Sequence, residues 1–513
     1  MIKHLIRKGV LFFSDASPLI TVTITTLITG FILIIRFNLI QTYITDLAGI
    51  EQNVIYGIQR IILNKDLYTD PEKPPFAIIQ YSPLYYYICA FIVKILNLYS
   101  EPGDLHKIYV ISRSLSLFFG ILCSYIFFYI TQRHFSSKKF ISLVGAFLVF
   151  IFQYEHHYAA RPDSLLDACL LLIILMILEF YTASVKSKWL YIYGIVFLSF
   201  MAVLIKQSGI QIIILLVAFF ILKQDKVVVI HVLATTIVFS LIFFFINKIV
   251  FGDFFYKNVI DGIINGINIS PMHKRILNRK EYYYVLALLC FILIRAIKGS
   301  LETRLSFQEQ LLLFISFGMF VFAFGISLKT GSTIQYFSSF QNTALLAFFC
   351  YVTQHKKEDY NFNISFAVIC ITLFTFRGID YFFYRNYQYL STSYKTNNQE
   401  LKADYNEQKK VSEYIAGRIK PDEYIVVQQG LIAGYFNTTQ YTLVPQQDIL
   451  ACCSYPLGVY NYSVLKSLID QGKIKYIVLS KGSEMPIIAG LSFSEYSYKP
   501  HIDIGKYTIF EFK

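Results

Sequence analysis

The sequence predicts a mainly α-helical polytopic membrane protein. It reads as a bundle of about eleven transmembrane helices, with surface-lying helix in the first external loop and a small C-terminal extracytoplasmic α/β domain. Three observations predict it. Hydrophobic residues make up 55% of the 513-residue chain and charged residues only 15%, and the mean hydropathy is +0.51. A soluble domain carries roughly a quarter charged residues. Apolar runs near the length needed to cross about 30 Å of hydrocarbon recur along the chain, among them Pro18–Ile40, Val227–Val250 and Gln310–Leu328. Beyond residue 380 the chain becomes much more polar.

The N-terminus carries Lys3, Arg7 and Lys8 before a long apolar run, with no small-residue cleavage site after a short hydrophobic core. It reads as a retained signal anchor. Later positive loops hold Arg133, Lys138 and Lys139; Lys186 and Lys188; Lys223 and Lys226; Arg295, Lys298 and Arg304; and Lys356 and Lys357. Such loops stay cytoplasmic, so two spans must separate each from the next. From Arg133 onward the spans 140–155, 164–184, 189–205, 209–222, 227–250, 282–297, 309–328, 334–353 and 362–379 satisfy that rule.

Between Lys8 and Arg133 lie three apolar stretches, 18–40, 83–99 and 108–131, where parity allows two. The middle stretch, Pro83–Tyr99, is short, opens with Pro83, carries Lys94 and is rich in Tyr. Aromatic residues of that kind favour the membrane interface, so it reads as a helix on the outer surface. The N-terminus is then cytoplasmic and the C-terminus external. The external segments are 41–107, His156–Asp163, Lys206–Ser208, Phe251–Glu281, Lys329–Ile334 and the tail. Two domains follow: a membrane domain, 1–380, and an extracytoplasmic α/β domain, 381–513. In the second, strand-like pieces Tyr424–Gln428, Tyr441–Pro445, Tyr476–Ser480 and Tyr507–Phe512 alternate with helix-like Asn406–Arg418 and Val464–Gln471. The chain shows no internal repeat.

The net charge of +13 sits in short loops between apolar runs, which points to membrane orientation and away from nucleic acid. The 8 cysteines have no metal-ligand spacing. Most, such as Cys123, Cys169, Cys290, Cys350 and Cys370, lie in apolar spans as small hydrophobes, and the adjacent Cys452 and Cys453 imply no disulfide framework.

Polar residues that could carry chemistry fall on the external side. The first loop holds Asp46 and Glu51, then Leu67-Tyr68-Thr69-Asp70-Pro71, Pro74-Pro75-Phe76 and Tyr81-Ser82-Pro83-Leu84-Tyr85-Tyr86-Tyr87. Residues 156–163 read His-His-Tyr-Ala-Ala-Arg-Pro-Asp. One span ends at Lys206-Gln207-Ser208-Gly209, another at Lys329-Thr330-Gly331-Ser332 with Gln335-Tyr336-Phe337 beyond, and Arg113 lies at the outer end of the second span. A carboxylate-bearing loop thus faces several cations at one membrane surface. Cations at that depth suit a lipid-linked phosphate, and a carboxylate among them suits a general base. Each residue also has a plainer reading. A Lys at a span end commonly snorkels, although Lys206 and Lys329 lie on the side that the charge rule disfavours. Asp163 and Asp167 suit the dipole of the helix they open equally well. His156 and His157 read as interfacial histidines, with no HExxH-like partner for a metal.

In this order and on this common side, the motifs resemble those of the GT-C glycosyltransferases of the protein-mannosyltransferase-like, or family 39, type. That group includes the lipid A aminoarabinose transferases and the protein O-mannosyltransferases. The resemblance covers about residues 15–380. It rests on the first-loop acid, Leu67-Tyr68, Tyr81 to Tyr87, Arg161-Pro162-Asp163, Lys206-Gln207, and Lys329 to Ser332 with Tyr336-Phe337. It implies a GT-C-like bundle with surface helices in the first external loop. It also implies inverting transfer of a sugar from a polyprenyl-phosphate donor to an acceptor hydroxyl outside the membrane.

The resemblance further implies that a first-loop Asp or Glu is the base and that basic residues hold the departing polyprenyl phosphate. The binding residues so implied are Tyr81, Arg113, Arg161, Asp163, Lys206, Gln207, Lys329 and Tyr336. Relatives carry adjacent Asp-Glu, the Glu about 17 residues before the Tyr that matches Tyr68; here that count lands on Glu51, preceded by Ile50 and not Asp. Glu51 and Asp46 both stand as candidate bases, and the count favours Glu51. Some relatives use a divalent metal and others none. The expected partners are the lipid-linked donor, an envelope acceptor and the bilayer, in a bacterial plasma membrane. The competing readings are a lipid-linked polysaccharide polymerase or ligase, a transporter or flippase of lipid-linked sugars, and a catalytically inactive sensor. A transporter calls for ionisable residues at the midplane and paired broken helices in related halves, which the sequence lacks.

Overall fold

The computed structural model describes residues 18–99, 105–137, 139–153, 155–182, 185–223, 226–264, 266, 281–302, 305–329, 334–354, 393–428, 441–443, 457–488 and 490–513. The first helix, α1 (Pro18–Ile40), leads into a long first loop that folds as α2 (Glu51–Ile62) and α3 (Leu84–Ile95). Then come α4 (Leu105–His134), α5 (Lys139–Ile151), α6 (Asp163–Thr182), α7 (Val185–Ile205), α8 (Ile210–Leu222) and α9 (Lys226–Phe251). The short α10 (Phe254–Val259) precedes α11 (Glu281–Glu302), α12 (Phe307–Ser327) and α13 (Ser338–Gln354). All the expected spans but one coincide with these helices. The exception, 362–379, lies outside the described residues, as do Cys370, Cys452 and Cys453.

Among the described residues, 6 helices are long and apolar enough to cross a membrane, and Thr25–Ile40, Lys139–Ile151 and Gln207–Leu222 are shorter apolar ones. The chain is an integral membrane protein. Helix is the form such runs must take, because in lipid every backbone polar group has to be satisfied within its own segment. The outermost, α9, leaves Ile230, Ile237, Phe245 and Ile249 exposed, an apolar surface suited to lipid. Local chemistry sets the α11–α12 turn. Ser306 caps α12 by accepting from the Glu309 N–H at 3.2 Å, and the Glu309 carboxylate accepts from the Ser306 N–H at 3.1 Å and from Arg295 at 2.9 Å.

The stretch expected to form a surface helix, Pro83–Tyr99, holds α3. Tyr85, Tyr86, Cys89, Ala90 and Val93 are buried, whereas Tyr87, Phe91 and Ile95, spaced four apart, are exposed and apolar. It packs on α2 at Gly57, where a Cβ would lie 2.8 Å from the Tyr86 ring. No larger residue fits there without a shift.

The C-terminal part opens with α14 (Ser393–Ala416), followed by β1 (Tyr424–Val427), β2 (Thr442–Leu443), α15 (Ser463–Asp470) and β3 (Ile474–Ser480). A small hairpin, β4 (Ile487–Ile488) and β5 (Leu491–Ser492), precedes β6 (Tyr498–Ile504) and β7 (Tyr507–Phe512). The sheet order is β2-β1-β3-β7-β6, with β2, β1 and β3 parallel and the other pairs antiparallel. One face packs on Val411 and Ile415 of α14, the other on Leu465 and Ile469 of α15. The edge strand β6 was not expected. Its Lys499, Pro500, His501 and Asp503 are exposed, so it carries no alternating apolar signal.

The first loop is built into this domain. Phe76 and Ile78, both fully buried, belong to the core formed by α15 and the sheet. Lys257 after α9 bridges Asp70 and Glu72 at 3.2 Å each, Glu72 accepts from the Asn461 N–H at 2.9 Å, and Tyr460 donates to the Lys257 carbonyl at 2.6 Å.

Candidate active site

The site begins where the chain leaves α1 and turns into α2. Gly49 and Ile50 both adopt left-handed backbone, φ 72° and 71°. For a β-branched residue such as Ile50 that conformation is a rare outlier, of order 1–2 kcal/mol. In this turn the carbonyls of Ala48 and Gly49 accept from the Arg161 guanidinium at 3.0 and 2.9 Å.

Glu51 opens α2 and is fully enclosed. Its Oε1 accepts from Arg113 Nε at 2.9 Å and from the Ala160 N–H at 2.5 Å. Its Oε2 accepts from Arg113 Nη2 at 2.7 Å and from the Leu47 N–H at 2.6 Å. Arg113, on α4 and equally enclosed, also donates to the carbonyls of Thr42 at 3.2 Å and Ile44 at 2.7 Å. This bidentate pair joins the first loop, α4 and the segment before α6.

Asp46 is placed differently. The residue reaches solvent on one side while protein packs around most of it. Its Oδ1 accepts from the Ala48 N–H at 3.3 Å and, at 3.5 Å, from that of Glu51. Desolvation by the surrounding protein, and next the Glu51 charge, push its carboxyl up to about 6 against the opposing pull of Arg161.

Beside it lies a cluster of cations. Arg161, 2% exposed, donates to Asp163 at 3.1 Å and to the Tyr81 hydroxyl at 2.6 Å. Lys206, 4% exposed, donates to the other Asp163 oxygen at 2.7 Å and faces the rings of Tyr81 at 5.4 Å and Tyr336 at 5.2 Å. Burial alone would lower the Lys206 ammonium, but Asp163 and the two tyrosines hold it above its ordinary value. Burial pushes the Tyr81 hydroxyl up to about 12, so it stays protonated at neutral pH. Burial, and then the Arg161 charge, keeps His156 well below its usual range and therefore neutral.

The structure thus brings Tyr81, Arg161, Asp163, Lys206 and Tyr336 into direct contact. Glu51 and Arg113 form a neighbouring pair linked to the cluster through Ala160 and residues 48–49. Gln207, next to Lys206, has a buried Oε1 with no hydrogen-bond partner among the described residues. Lys329 is half-buried just after α12, and Thr330, Gly331 and Ser332 lie outside the described residues.

One turn deeper on α6, the Asp167 carboxylate accepts from Ser339 at 2.5 Å and Asn342 at 3.0 Å and meets His157 Nε2 at 3.0 Å. It braces the 156–163 segment against α13. Sequence reasoning treated Asp167 as a dipole partner and His157 as interfacial. The signal for the brace was the four-residue spacing of Asp163 and Asp167, which puts both on one helix face. Ser339 and Asn342 carried none. Among the described residues no three His, Cys, Asp or Glu are grouped to hold a metal ion.

Among solved structures, the chain is similar to ArnT from Cupriavidus metallidurans bound to undecaprenyl phosphate, with TM-score 0.57 and 12% identity over 94% of this chain and 97% of that one. The apo state of the same protein gives TM-score 0.58 at the same identity and coverage. The apo oligosaccharyltransferase of Archaeoglobus fulgidus gives TM-score 0.51 and 12% identity over 91% of this chain and 70% of that one. At such identity the likeness is one of fold, and the fold is the GT-C-like architecture that the motifs implied. No family model matches the sequence, and no curated protein matches it.

Proposed function

We propose that the chain is a membrane glycosyltransferase that moves a sugar, with inversion, from a polyprenyl-phosphate donor to an acceptor hydroxyl on the external side of the membrane. The observation that carries the reading is the buried Arg161–Asp163–Lys206 cluster beside the solvent-facing Asp46. Two cations and one carboxylate leave one net positive charge, which matches the single negative charge of a phosphodiester. The Tyr81 hydroxyl offers the phosphate a further donor, and the Gln207 Oε1, an acceptor with no partner among the described residues, suits a hydroxyl of the sugar. Tyr336 flanks the same site, its ring 5.2 Å from the Lys206 ammonium. Support from the fold comes from the likeness to a structure that holds undecaprenyl phosphate.

In the proposed step the acceptor oxygen attacks the anomeric carbon and loses its proton to Asp46. The bond from that carbon to the phosphate oxygen breaks, and the electron pair leaves with the polyprenyl phosphate. Arg161 and Lys206 neutralise the charge that builds there. Asp46 suits the base because it has accessible lone pairs and a carboxyl pushed up to about 6, near the working pH. Glu51, which the residue count favoured, has both oxygens committed to Arg113 and to backbone N–H groups. We assign it, with Arg113, the task of shaping the loop that presents Asp46.

Lys206→Ala is expected to weaken undecaprenyl phosphate binding about ten- to a hundredfold, the worth of one charge-assisted hydrogen bond. Calorimetry on the detergent-purified protein measures it; unchanged affinity removes Lys206 from the phosphate site. The proposed setting is a bacterial plasma membrane with the N-terminus inside and the C-terminal domain outside. A phosphatase fused after Lys513 should then be active, and a fluorescent protein that matures only in the cytoplasm should stay dark there.

A further inference from the structure

We propose that α14 is a strut by which the C-terminal domain holds the Asp46 loop, and that Asn398 and Tyr405 are positioning residues for the transfer step. The inference rests on the reading of Asp46 as base. From the interior, residues 42–47 are pinned at Thr42 and Ile44, whose carbonyls accept from Arg113, and at Leu47, whose N–H donates to Glu51. Tyr43 between them meets α14. Its N–H donates to Asn398 Oδ1 at 3.2 Å. Its ring stacks on His106 at 3.8 Å and 9°, Tyr405 stands edge-on to it at 5.3 Å, and the Lys402 ammonium lies 5.9 Å from the ring centre. The Tyr405 hydroxyl accepts from the His106 N–H at 3.0 Å.

Asn398, Lys402 and Tyr405 recur at helical spacing and share one face of α14. Further along, the same helix is fastened to the sheet. Asp404 bonds Tyr507, Gln408 donates to the Tyr507 hydroxyl at 3.1 Å, Lys506 pairs with Asp404 at 2.9 Å, and Val411 and Ile415 are buried against β3 and β7. The helix therefore spans from the sheet to a point three residues before Asp46. Thr45, His106, Tyr109 and Tyr405 line a small hollow beside the loop, so the loop's outer side is not fully packed. A shift of about 1 Å in a reacting group can lower turnover by up to a hundredfold.

The charged and titratable groups around the loop are Glu51 on α2, Arg113 behind it on α4, Arg161 before α6, His106 at the start of α4 and Lys402 on α14. Release of the strut should let Asp46 move away from the protein packed around it and from the Glu51 charge, and so return its carboxyl toward the ordinary range of about 3.9. The test uses Tyr405→Phe, Asn398→Ala and the double variant, with His106→Phe, which keeps a stacking ring, as the control for histidine titration. Turnover is read in native membranes, which supply the acceptor, as undecaprenyl phosphate released from undecaprenyl-phosphate-linked hexoses and pentoses. Asp46 is titrated in the purified protein by carbodiimide labelling against pH with mass spectrometry.

The double variant is expected to lose about ten- to a hundredfold in turnover, to keep undecaprenyl phosphate affinity within about twofold, and to move the Asp46 midpoint from about 6 toward 4. Turnover within about twofold of wild type, an unmoved midpoint, or an equal loss of lipid-phosphate affinity would overturn the strut. Failure of the wild type to bind undecaprenyl phosphate strikes the proposed function instead, and the labelling midpoint still decides the strut.

Discussion

Asp46→Asn is expected to lower sugar transfer about 10²–10⁴-fold while undecaprenyl phosphate binds as in the wild type. The amide is nearly isosteric and keeps an acceptor oxygen for the Ala48 N–H, but it cannot take the acceptor's proton. The wild-type pH profile should show the same group. Asp46 acts when charged, so turnover falls as pH drops through about 6, and this limb is absent from the residual activity of the variant. The stability sign runs the other way. A folded-state value of about 6 lies above the unfolded value of 3.8, so this group stabilises the fold below the unfolded value and loses that contribution as pH rises through about 6. At pH 7 the Asn variant should therefore unfold at or above the wild-type temperature. Normal turnover in Asp46→Asn removes it as the base.

Glu51→Gln has its largest expected effect on stability. Glu51 and Arg113 are fully enclosed, and loss of one partner leaves an uncompensated charge out of contact with water. Breaking such a pair costs about 3–5 kcal/mol. The unfolding temperature in detergent should fall accordingly, and turnover should fall with the folded fraction. Replacing both partners together, as in Glu51→Leu with Arg113→Met, should restore part of the loss, because an apolar pair leaves no buried charge behind. A Glu51→Gln protein with wild-type stability and no turnover would falsify the structural assignment and return the role of base to Glu51.

The membrane helices were legible in the sequence because lipid removes the alternatives. Runs such as 227–250 and 309–328 had to be helices once they were too apolar for water, and α9 and α12 follow them closely. Charge parity among the loops singled out Pro83–Tyr99, and α3 there is a short apolar helix of 12 residues with one buried and one exposed face. In the C-terminal domain, β1, β3 and β7 carried apolar patterns that β6 lacked. The residue types of the site were also readable, since Lys206 and Asp163 stand at the ends of apolar runs where ionisable groups are costly.

Composition and pattern by themselves thus determined that the chain spans a membrane, where its helices run, and that cations and acids gather at one set of helix ends. Which acid faces the solvent was decided only by tertiary structure. Asp46 and Glu51 lie five residues apart in one loop, and nothing local distinguishes them. Glu51 is enclosed because Arg113 from α4 and the Ala160 N–H from before α6 converge on it. Asp46 stays open because Glu51 and Arg113 hold its loop from the interior and Tyr43 rests on α14 from the exterior. Those partners lie tens to hundreds of residues away in the chain. Burial and the charge it controls are properties of that packing, and no count along the sequence contains them.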